Sequence, residues 1–188
     1  MEHWSFDGTD LQREAWRVRE ASFPPKIVFT RPWATLPVTV TGIACALQCA
    51  HCSGRYLAHM RTLSDPALVK AKSLLISGGC DSDGRVPVAA KLQEIIAVGQ
   101  GKRLNWHLGL PDEATVKAIA PYADVVSMDW VADDAILHEV YGLQRSVSDY
   151  VAAYRLLRQH CTVVPHLTIG VHGGIVRGEL RALEVLKD

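Results

Sequence analysis

Five apolar, β-branched stretches separated by helical ones predict an α/β domain with a parallel sheet, closing toward a TIM-type barrel. Two observations carry this. Strand candidates at 37–42, 73–77, 103–108, 123–129 and 162–169 alternate with helical stretches, the sign of βαβ units. Each strand also carries polar residues on one parity toward its C-terminal end: Thr39 and Thr41, Ser77, Asn105 and His107, Ser127 and Asp129, His166 and Thr168. Parallel strands buried on both faces are apolar by default, so these positions need a reason. A common lumen whose C-terminal mouth holds a polar ligand supplies one. At any single position a satisfied core hydrogen bond explains the residue equally well; five strands together favour a site.

The elements follow in order. Residues 1–35 form a lead-in. Thr9 or Asp10 caps a helix through Leu11–Ala21, Pro24 and Pro25 stop it, and 26–30 form a short strand before Pro32. Trp4, Trp16 and Trp33 are expected to pack this segment onto the main body, residues 36–188, the two parts making a single domain overall. Helical stretches then fall at 53–60 with 65–72, at 87–99, 111–120, 133–140 with 146–160, and 174–187. Pro111, Asp112 and Glu113 suit a helix opening, with acids on the positive dipole end, and Ser146 or Ser148 begins the long helix ending near His160. No repeat, low-complexity tract or linker interrupts the alternation.

At 188 residues, 48% hydrophobic and 21% charged, the chain has the length and composition of one soluble globular domain. Its 20 basic and 20 acidic side chains cancel, which argues against nucleic acid or an anionic membrane surface as partner. No apolar run reaches transmembrane length, and the first residues lack the pattern of a signal peptide. Five cysteines, three of them clustered, indicate a reducing compartment and metal use, so the expected location is the cytoplasm.

The cluster is Cys45, Cys49 and Cys52, a C-x3-C-x2-C loop just past the first strand. Thiolates are soft ligands that suit zinc or an iron–sulfur cluster. Structural zinc takes four closed ligands, often as two pairs, and there is no second CxxC pair here. Three thiolates on a four-iron cluster leave one iron open for a small molecule. Zinc or free thiols remain the alternative.

The strand, the C-x3-C-x2-C loop and a second strand ending in Ser77-Gly78-Gly79 together resemble the radical S-adenosylmethionine (SAM) superfamily. The resemblance implies a partial barrel, usually of six βα units, of which five are legible and the sixth is missing. It implies a [4Fe-4S] cluster on Cys45, Cys49 and Cys52, with SAM on the open iron. His51 takes the place where an aromatic residue is common. Ser77, Gly78 and Gly79 take the place of the Gly-Gly-Glu segment, its carbonyls facing the methionine amino group. Cys80 stands in place of the acid and is expected to be a small buried side chain. Ser127 and Asp129 match the SAM ribose position, although Asp129 serves equally as a cap for the helix near Asp133. Gly170 ends the fifth strand in a loop suited to adenine. His107 and His166 are substrate-facing or core histidines, His166 being included among the SAM-binding candidates. Cys161 is expected to be inert.

The implied reaction is one-electron reduction of the cluster by a donor such as ferredoxin or flavodoxin. SAM is then cleaved to methionine and a 5′-deoxyadenosyl radical, which abstracts hydrogen from a C–H bond. Residues 38–57 and 75–87 are similar to biotin-synthase-like proteins, including subunits of the two-protein lipoyl synthase. That branch implies sulfur insertion into an octanoyl chain on a lipoyl carrier protein, shared with a second radical SAM subunit. Another small-molecule substrate, or a shortened non-catalytic cluster- or zinc-binding partner, are the other readings.

Overall fold

The strands β1 (Thr35–Thr39), β2 (Ser73–Ser77), β3 (Arg103–His107), β4 (Val125–Asp129) and β5 (Val163–His166) pair in parallel in the order β1-β2-β3-β4-β5. Sequential order with parallel pairing makes every crossover lie on the same face, so the sheet is an arc of a barrel. The computed structural model describes residues 8–26 and 34–187. Within it the chain divides into two units, Met1–Pro32 and Trp33–Asp188.

Parity separates the two faces of the arc. Val38, Leu74, Ile76, Leu104, Trp106, Val126 and Met128 are all buried, on the face covered by helices. They meet Ile95 of α2 (Leu92–Gly99), Val116 and Ile119 of α3 (Glu113–Ile119), Leu137 of α4 (Asp134–Glu139) and Leu157 of α5 (Val147–His160) in one core. Each such side chain stabilises the fold by about 1.5–3 kcal/mol when fully buried. The opposite parity carries Thr39, Ser77, Asn105, His107, Ser127, Asp129 and His166, as the polar pattern requires. The core therefore lies between sheet and helices, and the polar face is left to the lumen.

Several boundaries differ from expectation, each for a local reason. β1 ends at Thr39 instead of residue 42, because the Thr39 hydroxyl donates to the Gly42 carbonyl at 2.8 Å and closes a turn there. Gly42 holds a φ of 63°, which favours glycine. Residues 53–60 and 65–72 yield only short 3₁₀ turns, Arg55–His59 and Pro66–Lys70. Between them Arg61 pairs in parallel with Val38 and blunts the free edge of β1. β5 stops at His166, and α6 (Glu179–Lys187) starts five residues later than 174 because a loop with glycines at positive φ intervenes. The caps match the sequence better: Asp112 accepts from Thr115 N–H at 2.8 Å, and Ser146 forms a capping box with Asp149.

The first unit contains α1 (Asp10–Ser22), opened by a capping box in which Thr9 and Gln12 exchange hydrogen bonds. None of its residues is buried, and Trp16 is 45% exposed with the Arg19 guanidinium 5.7 Å from its ring centre. Trp4, Trp33 and most of the expected strand at 26–30 lie outside the described residues.

Candidate cofactor site

The cysteine loop sits at the C-terminal end of β1, against the turn after β2 and the segment after α4. Cys49 is buried, whereas Cys45 and Cys52 are half-buried. The Cys49 thiol donates to the Tyr141 carbonyl at 3.4 Å, and Ala50 N–H donates to the Val140 carbonyl at 2.7 Å. A tight turn returns Cys52 N–H and Ser53 N–H to the Cys49 carbonyl at 3.1 and 2.8 Å. Burial, then the fields of Cys52 and Cys45, pushes the Cys49 thiol up to about 11. Three thiols thus share one neighbourhood.

Gly79 explains why glycine follows β2. A side chain there would stand 1.9 Å from the Ala44 carbonyl oxygen and 2.7 Å from Cys45 Cα and Cβ. Only hydrogen fits, so the loop backbone lies directly on this turn. Gly79 N–H donates to the Thr41 hydroxyl at 2.7 Å, and the Cys80 carbonyl accepts Ala46 N–H at 2.7 Å. Gly78 is less confined: a Cβ there would meet Thr41 Oγ1 and Val40 Cγ2 at 3.1 Å. Ser77 is buried, and its carbonyl accepts Val40 N–H at 2.9 Å. Cys80 is half-buried beside this loop; burial, then the fields of Cys45 and Cys49, pushes its thiol up to about 12.

On the other side of the mouth, β3 and β4 present two polar pairs with the same diagonal offset. Ser127 Oγ donates to Asn105 Oδ1 at 3.1 Å, and His107 Nε2 lies 3.4 Å from Asp129 Oδ2. Asp129 faces His166 across the β4–β5 register. Burial pushes the Asp129 carboxyl up, but the His107 hydrogen bond and the fields of His107, His166 and His51 outweigh it. The group stays below its ordinary range, an ionised carboxylate at the lumen mouth. Asp129 does not cap the helix beside it: Asp133 is the cap of α4, accepting Ala135 N–H at 2.8 Å.

His51 is exposed and its ring tilts against Tyr141 at 4.9 Å between centroids. His166 is also exposed, since no strand pairs the far side of β5 among the described residues. Gly170, at φ 70°, closes the loop after β5: its carbonyl accepts Gly174 N–H at 2.8 Å and its N–H donates to Glu179 Oε1 at 2.7 Å. Cys161 lies at the foot of the barrel, as the residue ending α5. Tyr141 is a member of this neighbourhood that the sequence does not reveal. It stands 92 residues from Cys49, and nothing local in the sequence marks it.

No protein-family model matches the chain, and no curated protein matches it. Among solved structures, a methylornithine synthase (PylB) superposes with a TM-score of 0.57 at 17% identity, over 81% of this chain. The match covers 49% of that protein's chain, so this chain spans about half its length. The likeness shows the fold, an arc of a TIM-type barrel.

The donors suit a soft, thiophilic group: three thiols on one loop, held in place by a turn with no room for a side chain. As the side chains stand, no three Cys, His, Asp or Glu among the described residues converge into a metal-holding group. No helix among the described residues is long and apolar enough to cross a membrane.

Proposed function

We propose that this chain is a radical SAM iron–sulfur enzyme in which Cys45, Cys49 and Cys52 hold a [4Fe-4S] cluster. The observation that carries the reading is the placement of a three-cysteine loop at the end of β1, seated directly on the Gly78-Gly79 turn of β2. Cys45, Cys49 and Cys52 would hold the cluster, which would supply the one-electron reduction of SAM needed for C–H activation. The chain's own residues bind and orient. Gly79 lets the loop and the β2 turn meet, Ser127 and Asp129 offer hydrogen-bond acceptors to ribose hydroxyls, and His51 and His166 border the same mouth. In this reading the loop after β5, through Gly170, would pass along adenine.

The finer reading rests on the resemblance of residues 38–57 and 75–87. In it the reaction is sulfur insertion into an octanoyl chain on a lipoyl carrier protein, performed in the cytoplasm with a second radical SAM subunit and a ferredoxin- or flavodoxin-type donor.

Anaerobic reconstitution followed by iron and sulfide analysis, then SAM and dithionite, tests the first reading. It expects about four irons per chain and 5′-deoxyadenosine, both lost when Cys45, Cys49 or Cys52 becomes Ala. Zinc in place of iron, or a cysteine variant that keeps its full iron, would overturn it. Octanoylated carrier protein and the second subunit, added to the active mixture, test the finer reading by the appearance of thiolated product.

A further inference from the structure

Aspartates in this protein are mostly consumed by the backbone. Asp65, Asp81, Asp112, Asp124, Asp133 and Asp149 each accept a main-chain N–H, capping helices or closing turns. Asp129 accepts none. The side chain paired with it among the described residues is His107, one strand away, with Nε2 3.4 Å from Oδ2. The pair is not sealed in the core: the His107 and Asp129 side chains are 31% and 36% exposed, toward the polar face of the arc. A carboxylate released from backbone duty, with an imidazole beside one oxygen and about a third of its side chain exposed, has its other oxygen free for a ligand.

We propose that His107 is the positioning residue of Asp129, donating from Nε2 to Oδ2 so that the remaining oxygen faces a ligand bearing hydroxyl or ammonium donors. The neighbouring pair supports this, since Ser127 is held by Asn105 with the same two-residue offset between β3 and β4. β4 thus turns Ser127 and Asp129 to one side, each with a partner on β3. The titratable groups facing Asp129 come from several elements: His107 on β3, His166 on β5, His51 on the cysteine loop, Cys80 after β2, and Tyr141 and Tyr150 around α4 and α5. The histidines favour the ionised carboxylate, while burial first, and the field of the carboxylate after it, holds the Cys80, Tyr141 and Tyr150 protons on. The choice of ligand below rests on the SAM reading; the pairing itself does not.

The test has two arms on the full chain. In the first, the Asp129 carboxyl is titrated by carbon NMR in the ligand-free protein, with Asp129→Asn to assign its signal. Removing the imidazole in His107→Ala is expected to raise its midpoint, and His107→Gln, which still offers an N–H, to restore part of the difference. In the second, binding of S-adenosylhomocysteine, an unreactive probe, is measured by equilibrium dialysis across pH. His107→Ala is expected to weaken it about tenfold, the scale of one charge-assisted hydrogen bond, and to move the acid limb of the profile upward. The double variant with Asp129→Asn is expected to bind no more weakly than Asp129→Asn alone.

An unchanged Asp129 midpoint in both His107 variants would overturn the inference, as would losses that simply add in the double variant. If His107→Ala does not fold, His107→Gln and His107→Asn carry the same comparison. A wild-type protein reconstituted with its cluster that binds no S-adenosylhomocysteine would end the SAM reading, while the titration arm would still decide the pairing.

Discussion

Gly79 and Cys45 occupy one space. The Cβ that Gly79 lacks would fall 2.7 Å from both Cα and Cβ of Cys45, and 1.9 Å from the carbonyl oxygen one residue earlier. The turn after β2 is therefore the floor on which the thiol loop rests, and the loop's height above the lumen is set by the absence of a single methyl group.

Replacing Gly79 by Ala should lift that loop. Overpacking of this kind costs about 1–3 kcal/mol, a fall of roughly 2–12 °C in melting temperature for a chain of this size. Iron retained after reconstitution should fall with it. Gly78→Ala, where the nearest atoms are side-chain atoms at 3.1–3.2 Å, should be milder on both measures. Equal effects at the two glycines would show that the backbone contact does not set the loop.

Cys80 should be slow to alkylate. Burial and the neighbouring thiols push it up to about 12, so at pH 8 almost none of it is the reactive thiolate. Mass-resolved labelling of the metal-free protein by iodoacetamide should be at least about a hundredfold slower at Cys80 than in the urea-unfolded chain, whose thiols titrate near about 8.5. Comparable rates in the two states would contradict the placement of Cys80 beneath the loop.

Asp133 makes a prediction about acid. Its burial raises the carboxyl, but hydrogen bonds from Arg177 and from the first turn of α4 outweigh that and hold it below the ordinary range. Folded below unfolded means that the group stabilises the protein above the unfolded value, near about pH 4, and ceases to do so as pH falls through the folded one. The melting temperatures of wild type and Asp133→Asn should differ most at neutral pH and converge in acid. A gap independent of pH would assign the effect to packing instead.

Ser146 opens the longest helix of the barrel, its hydroxyl and the Asp149 carboxylate satisfying the first turn together. Ser146→Ala should cost about 1 kcal/mol, read as a lowered urea midpoint at unchanged slope. No loss would mean that another group takes over those N–H donors.

Much of this architecture is legible in the chain. Alternating strand and helix imply the parallel sheet, and the polar parity of Asn105, His107, Ser127 and Asp129 marks the lumen face. The cysteine loop announces itself by spacing. Other features are hidden for physical reasons. β1 and β5 are expected to run on to 42 and 169 because apolar, β-branched residues continue past Thr39 and His166, where the strands end. Helices at 53–60 and 65–72 shrink to single turns, since the segment between them is needed to cover the edge of β1 through Arg61. Asp129 reads as a cap or as a site residue from its position alone. Only the hydrogen bonds of Asp133 decide against the cap. The carbonyl that receives the Cys49 thiol belongs to Tyr141, a main-chain contact that side-chain chemistry does not foreshadow.

The seating of the loop on Gly79 also bears on the order of assembly. Residues 44–46 reach their places only when the turn after β2, more than thirty residues further along the chain, has docked beneath them, with Ala46 bonded to Cys80. A newly made chain that has emitted its three cysteines does not yet possess their arrangement. The second strand must arrive first, so any soft cation captured earlier meets a flexible thiol-bearing segment instead of a shaped receptacle. Loading is thereby tied to a completed β1–β2 pair, and whatever binds the finished loop in preference to the unfolded chain shifts the folding equilibrium toward the barrel.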